Sequence, residues 1–398
     1  MNKNIRFIPV ICLIILFIAL NTFAQDITPQ KEGDLYSFQV ADMYFEVDQS
    51  FGARISSLKL GDNEIMFVNR NYADGILWGS TLWPSPQSVW GWPPSATLDS
   101  DPYTVVISGN YVIMTSEVDG NSNLRFKKTF YASQQDTSVT IIYTLINEGP
   151  NTENDAAWEV TRVPSGGISF FPSGAGSVTS GLAVYVEKIN NVSWYEYENS
   201  DAGNQKFFSD ASNGWFAHVN EDSILFIKQF KDVHHDSVAP GENEIELWLN
   251  GDHAYIELEN QSKYESIAPG DSIEYKVKWY LRKMPADIDI AAGNIDLINY
   301  ITDVTGTEPV ISTNLPVYKS LCRNISAIAN PHTGYTFFKN LPAGIFMVEM
   351  YDLTGKLLRA KTITSENNYF YVGDLQPGIH VYVISNELIT TTGKLVIE

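Results

Sequence analysis

"YFEVDQSFGARISSLKLGDNEIMFV", Tyr44 to Val68, alternates apolar and polar residues and breaks at Ser50-Phe51-Gly52 and again at Gly61-Asp62-Asn63. Alternation at period two between turn residues predicts half-buried antiparallel strands, because successive side chains of an extended chain point to opposite faces. The texture recurs downstream. "YTVVISGNYVIMTSEVDGNSNLRFKKTFYA" (Tyr103 to Ala132) reads as strand, Gly-Asn turn, strand, Asp-Gly turn, strand. "TSVTIIYTLINEGPN", "SILFIKQF", "NEIELWLNGDHAYIELENQ" and "DSIEYKVKWYL" continue it. Many short strands joined by turns predict an all-β chain built around a large antiparallel sandwich.

The two ends differ from this middle. Lys3 and Arg6 precede the apolar run "FIPVICLIILFIAL" (Phe7 to Leu20), and Thr22-Phe23-Ala24 supplies small residues before Gln25. That order predicts an export signal over residues 1–24, with no integral membrane segment left after cleavage. The sandwich is expected over 25–284. A linker with a short helix in "PADIDIAAGNIDLINYITDVTG" follows over 285–325, and a small second β-sandwich over 326–398.

The formal net charge of −21 on 398 residues disfavours nucleic acid and anionic membrane surfaces, which need Lys and Arg to neutralise phosphates. Cys12 lies inside the apolar leader, so only Cys322 remains and no intramolecular disulfide is available. No zinc spacing, phosphate loop, H-E-x-x-H or nucleophile elbow occurs, so neither a metal nor a cofactor is expected.

"LWGSTLWPSPQSVWGWPPS" (Leu77 to Ser95) holds Trp78, Trp83, Trp90 and Trp92 among four prolines. Proline lacks the ladder donor and fixes φ, so this stretch is expected to be a loop and not a central strand. Tryptophan joins a broad apolar face to one N–H donor, which suits the C–H faces and hydroxyls of a pyranose. Trp83, Trp90, Trp92 and Trp215 are candidate sugar-binding rings. Burial of all of them over an open end of the sandwich is the alternative.

From about Leu35 to Leu281 the chain resembles the galactose mutarotase-like superfamily, in "GARISSLKLGDNEIMF" (Gly52 to Phe67) and in "YIELENQSKYESIAPGDSIEYKVKWYL" (Tyr255 to Leu281). The resemblance implies a twisted β-supersandwich, and it implies that Glu259 of "LENQ", with Gln261 beside it, occupies the place of the epimerase general base. The family's histidine acid has no counterpart in "NEGPNTENDAAWEVTRVPSGGISFFP" (Asn147 to Pro172), where Trp158-Glu159 stands instead. The family's early Gly-Arg-x-x-Asn segment is also missing, so the pair for classical mutarotation is incomplete. Alternation in "WEVTRV" puts Trp158 and Arg162 on one face and Glu159 on the other. Glu159 then stands either on the solvent face or in a groove as a second carboxylate, and Arg162 either clamps a sugar group or forms a surface ion pair. "FKDVHHDSVAP" (Phe230 to Pro240) offers His234 as a displaced acid. The stretch reads as a loop that also holds His235 and Asp236. Adjacent histidines on a strand face opposite ways, so only one could enter a site. A metal reading lacks a further ligand, and a plain polar turn is the alternative. His218 of "GWFAHV" is expected to pack in a strand.

Residues after Asn330-Pro331, through Gly334, "VEMYDLTGKLL" (Val348 to Leu358) and "VGDLQPGIHVYVI" (Val372 to Ile384), resemble the C-terminal sorting domain of the type IX secretion system in Bacteroidetes-type bacteria. That resemblance implies the secretion machinery as a partner, and a secreted or cell-surface, outer-membrane-associated protein. For the main domain the readings are a carbohydrate-active protein, isomerase-like or glycan-processing, that acts on a neutral glycan through Glu259, or a non-catalytic glycan-capture or structural surface protein. Net acidity argues against a uronate lyase.

Overall fold

The β-rich middle of the chain builds two sheets, as its period-two patterning requires. A computed structural model describes residues 27–72, 75–308, 326–330, 334–339, 341, 345–365, 367–385 and 390–397. The expected export signal, Cys322 and the last part of the expected linker, residues 309–325, lie outside these residues. The chain divides into two compact units, residues 1–310 and 311–398.

In the first unit one sheet runs, neighbour by neighbour, through strands Gln30–Glu32, Leu35–Val40, Met43–Asp48, Arg54–Leu60, Ser80–Ser85, Glu153–Pro164, Tyr255–Gln261, Ile245–Leu249 and Gln205–Ser209. Two short strands, Asn63–Glu64 and Glu265–Ile267, attach to its members. The second sheet has ten strands in the order Val186–Ile189, Val192–Glu196, Ile168–Pro172, Trp215–Val219, Ile224–Phe230, Ser272–Lys283, Ser138–Asn147, Leu124–Ser133, Tyr111–Thr115 and Thr104–Ser108. The pairings are antiparallel, so the fold is all-β. The core between the sheets takes the inward residues of each strand: Phe45 and Phe226 both meet the edge of the Trp279 ring, at 5.8 and 4.9 Å between centroids.

One expectation changes. The tryptophan-rich stretch is not all loop, because Ser80–Ser85 is a strand inside the first sheet and carries Trp83 and Pro84. It pairs with Glu153–Pro164 over six residues, but with Arg54–Leu60 only at Ser80. Beyond Ser80 it therefore has one laddered neighbour and tolerates a proline as an edge strand does. His234 and His235 sit at a 3₁₀ turn, His235–Ser237, in keeping with the loop expected there.

The predicted helix spans Ile295–Thr305. Asn294 caps it by accepting from the Asp296 and Leu297 N–H groups, and Gly306 ends it at φ 66°. Leu297, Ile298 and Ile301 are buried. The tail unit is a small sandwich. Its three-stranded sheet holds Ser326–Asn330, Tyr335–Lys339 and Tyr369–Tyr371, and its four-stranded sheet holds Leu357–Thr364, Ile345–Tyr351, Gly378–Ser385 and Thr390–Ile397. Phe338, Phe346, Met350 and Phe370 are fully buried in its core. No helix among the described residues is long and apolar enough to cross a membrane.

Candidate functional site

Strand register assembles the site. Across the first sheet, Trp83 pairs with Trp158 and Trp158 with Gln261. One row along, Val160 opposes Glu259, which opposes Glu246. In the next row Arg162 opposes Glu257, Glu257 opposes Trp248, and Trp248 opposes Lys206. These positions alternate in step, so their side chains share one face, and the intervening residues face the second sheet.

That face carries a groove of about 600 Å³, walled by Trp83, Trp92, Trp158, Trp248 and Tyr255, with Lys206 and Glu257 at its floor. Its size is within the range of small-molecule sites. Trp83 is the hub of the tryptophan cluster, edge-on to Trp158 at 5.3 Å and to Trp92 at 5.8 Å, with Trp90 tilted against it at 6.0 Å. Its indole N–H donates to Asp99 Oδ1 at 2.8 Å, and Asp99 is in turn ion-paired to the buried Arg54 at 2.7 Å. Asp99 ends a one-turn helix, Ala96–Asp99, that packs over Gly52. Gly52 has φ +63°, and a Cβ there would stand 1.9 Å from the Asp99 carbonyl oxygen, so only glycine lets this support approach.

Under the aromatic wall lies a buried charge cluster. Lys206 Nζ ion-pairs with Glu259 Oε2 at 2.7 Å and with Glu246 Oε2 at 2.5 Å, and it sits 4.7 Å from the centroid of the Trp158 ring. The Trp158 indole N–H donates to the same Glu259 oxygen at 2.8 Å. Gln261 Nε2 donates to Glu246 Oε1, and Ser85 Oγ donates to Gln261 Oε1. Burial raises the Glu259 carboxyl to about 7, against the opposing pull of Lys206. Burial also lifts Glu246 well above the usual carboxylate range. For Lys206 burial would lower the ammonium, but the two carboxylates outweigh it and raise it. Glu259 Oε1 is buried and has no hydrogen-bond partner among the described residues. Arg162 is fully buried behind the groove, ion-paired to Glu257 at 2.6 Å, with its guanidinium 5.4 Å from the Trp83 ring centroid and 5.7 Å from that of Tyr255.

The structure thus brings Trp83, Trp92, Trp158, Arg162, Glu259 and Gln261 to one place, and it separates others from it. Glu159 stands neither in solvent nor in a groove. It points into the space between the sheets, where its carboxylate accepts from Tyr143 Oη at 2.6 Å and ion-pairs with Lys228 at 2.9 Å. The alternation was read correctly, but the face opposite Trp158 is the core. Trp215 belongs to the second sheet and is fully buried, edge-on to Phe170. His234 is exposed on its turn and is not among the groove residues. Trp90 backs Trp83 and donates to the Pro84 carbonyl from outside the groove. His218 is buried in a strand, and burial lowers its imidazole to about 4.

Lys206, Trp248, Tyr255 and Glu257 were not singled out from the sequence. Glu257 did carry a signal: it precedes Glu259 by two residues in "YIELENQ", so both must share a face. Lys206 carried none, since only pairing between distant strands sets it against Glu246 and Glu259.

Residues 84–282, half of the chain, match the family model described as "Domain of unknown function (DUF4380)". Residues 329–398 match the model of a secretion system C-terminal sorting domain. Among solved structures, a TPR-domain containing protein from Parabacteroides distasonis aligns with a TM-score of 0.47 at 15% identity, over 65% of this chain and 49% of that one. The chain therefore spans about half the length of that protein. A galactose mutarotase-like protein from Clostridium acetobutylicum aligns with a TM-score of 0.44 at 10% identity, over 65% of this chain and 99% of that one. A galactose mutarotase-like protein from Lactobacillus casei aligns at 0.43 and 12%, over 62% and 100%. The search of curated proteins finds no match. The chain belongs to the family described as domain of unknown function DUF4380, and it ends in a secretion-system sorting domain that marks it for export.

Proposed function

We propose that this exported protein recognises a neutral carbohydrate in the groove of its first sheet. The observation that supports this reading is the pairing of aromatic walls, Trp83, Trp92, Trp158 and Trp248, with polar groups at the floor. Indole faces take up the apolar C–H faces of a sugar ring while Lys206, Glu257 and Asn204 meet its hydroxyls. The charge of Lys206 is already matched by two glutamates, which leaves no strong attraction for an acidic sugar. The sorting domain would hand the chain to the type IX machinery, with the groove then working outside the cell or at its surface.

A second reading, acid–base chemistry on the bound sugar, is favoured by the unpartnered Oε1 of Glu259 and by its elevated proton affinity near 7, where a general base works best. Proton NMR on the exported chain with a panel of neutral sugars tests both. Saturation transfer to a sugar without faster anomeric exchange fits recognition alone. Exchange accelerated by the parent protein and lost in Glu259→Gln would make Glu259 the base. Absence of saturation transfer across the panel would overturn the carbohydrate reading.

A further inference from the structure

Outside the groove, "HHD" at residues 234–236 brings three metal-binding side chains together. Ligand atoms of His234, His235 and Asp236 lie within 4.8 Å of one another, the one such group of three among the described residues. Adjacent histidines diverge on a strand, but here the 3₁₀ turn puts both rings on one side, 4.3 Å apart between centroids and tilted by 30°. His235 Nε2 stands 3.4 Å from Asp236 Oδ1, and His234 Nδ1 stands 3.8 Å from Asp236 Oδ2. Ligand atoms about 2.0–2.2 Å from a tetrahedral ion are separated by roughly 3.3–3.6 Å, so little movement is needed to close on one. His234 Nδ1 accepts from the Asp236 N–H at 3.3 Å, a long hydrogen bond that an ion on this nitrogen would replace.

The turn is held in place from both sides. The Val233 N–H donates to the buried Glu244, the Ser237 carbonyl accepts from the Tyr264 N–H, and Ala239 is buried. All three ligand side chains are exposed, so an ion reaches them without any opening of the fold.

We propose that His234, His235 and Asp236 form a surface site for a borderline divalent transition-metal ion of the zinc class. Two imidazole nitrogens and one carboxylate oxygen suit that class, whereas calcium and magnesium call for an all-oxygen shell. Three protein ligands leave a fourth position for water or for a side chain from another molecule. The chain's net charge of −21 raises the local concentration of cations around it.

The test is isothermal titration calorimetry of the tag-free, exported chain with zinc chloride, and with calcium chloride as the contrast. One zinc ion per chain is expected, reversed by EDTA, with no heat from calcium. His235→Ala and Asp236→Asn should each weaken zinc binding at least tenfold. These substitutions fall in an exposed turn, and an unchanged far-UV circular dichroism spectrum verifies that the fold persists. Absence of zinc binding, or equal binding by a His234→Ala/His235→Ala double variant, would overturn the assignment.

Discussion

Lys206→Met removes the one ammonium that two buried glutamates share, which also stands 4.7 Å from the Trp158 ring centroid, and keeps an unbranched side chain in its place. Deleting one partner of a buried ion pair costs about 3–5 kcal/mol when the other charge stays behind. Here the remaining groups have an escape, since a carboxyl can take up a proton. Both already bind protons more tightly than the ordinary value of 4.5, Glu259 to about 7 and Glu246 well above, through burial and against the opposition of Lys206. Loss of the ammonium raises both further. A carboxyl whose folded pKa exceeds its unfolded one holds a proton in the folded chain that the unfolded chain has released. Stability therefore falls as pH rises between the two values, by about 1.4 kcal/mol per unit for each such group. In the parent protein the Glu259 share of this fall ends near pH 7; in the variant it continues.

The variant should thus lose about 1 kcal/mol at pH 5.5, the worth of the lost hydrogen bonds to neutral acids. At pH 8.5 it should lose about 3–5 kcal/mol, a fall in Tm on the order of 10 °C for a domain of this size. All nine tryptophans belong to the first unit, so thermal melts followed by tryptophan fluorescence report on it alone. An equal depression of Tm at the two pH values would refute the electrostatic reasoning, because loss of packing has no such pH dependence.

Two further substitutions separate the groove from the core. Trp92 is 53% exposed at the groove rim, so Trp92→Ala should change stability by no more than about 0.5 kcal/mol while weakening sugar binding severalfold; NMR titration beside a thermal melt checks both, and undiminished binding would take that ring out of the site. Glu159→Gln leaves the Lys228 ammonium buried without its counter-charge, which should cost about 3–5 kcal/mol; a thermal melt near neutral pH measures it, and a loss below about 1 kcal/mol would show that Lys228 sheds its proton instead.

The all-β fold was legible because alternation is local: strands such as Met43–Asp48 and Leu124–Ser133 carry their own period-two record of which face is buried. Turn residues such as Gly52 and Gly61, both at positive φ, punctuate it where expected. What the same pattern withholds is the surroundings of each face. In "WEVTRV" it separated Glu159 from Trp158, but it did not tell that the Glu159 side meets Lys228 and Tyr143 across the sandwich. The proline rule failed at Pro84 for a related reason, since the rule presumes a laddered neighbour on both sides and this strand has one. At His234 and His235 the stretch was read as a loop, and the structure adds that its 3₁₀ turn sets both rings on one side, where adjacent side chains of a strand would diverge.

By itself the sequence determined the all-β class, the tail's sorting domain and the strand that carries Glu259, because each rests on residues close together in the chain. Only the tertiary structure decided which side chains meet. Lys206, Glu246 and Glu259 come from three different strands, and Trp83 reaches Trp158 across a pairing of strands some seventy residues apart. Burial and charge coupling are properties of such meetings, and so the proton affinity of Glu259 and the shape of the groove exist only once the sheet has closed around them.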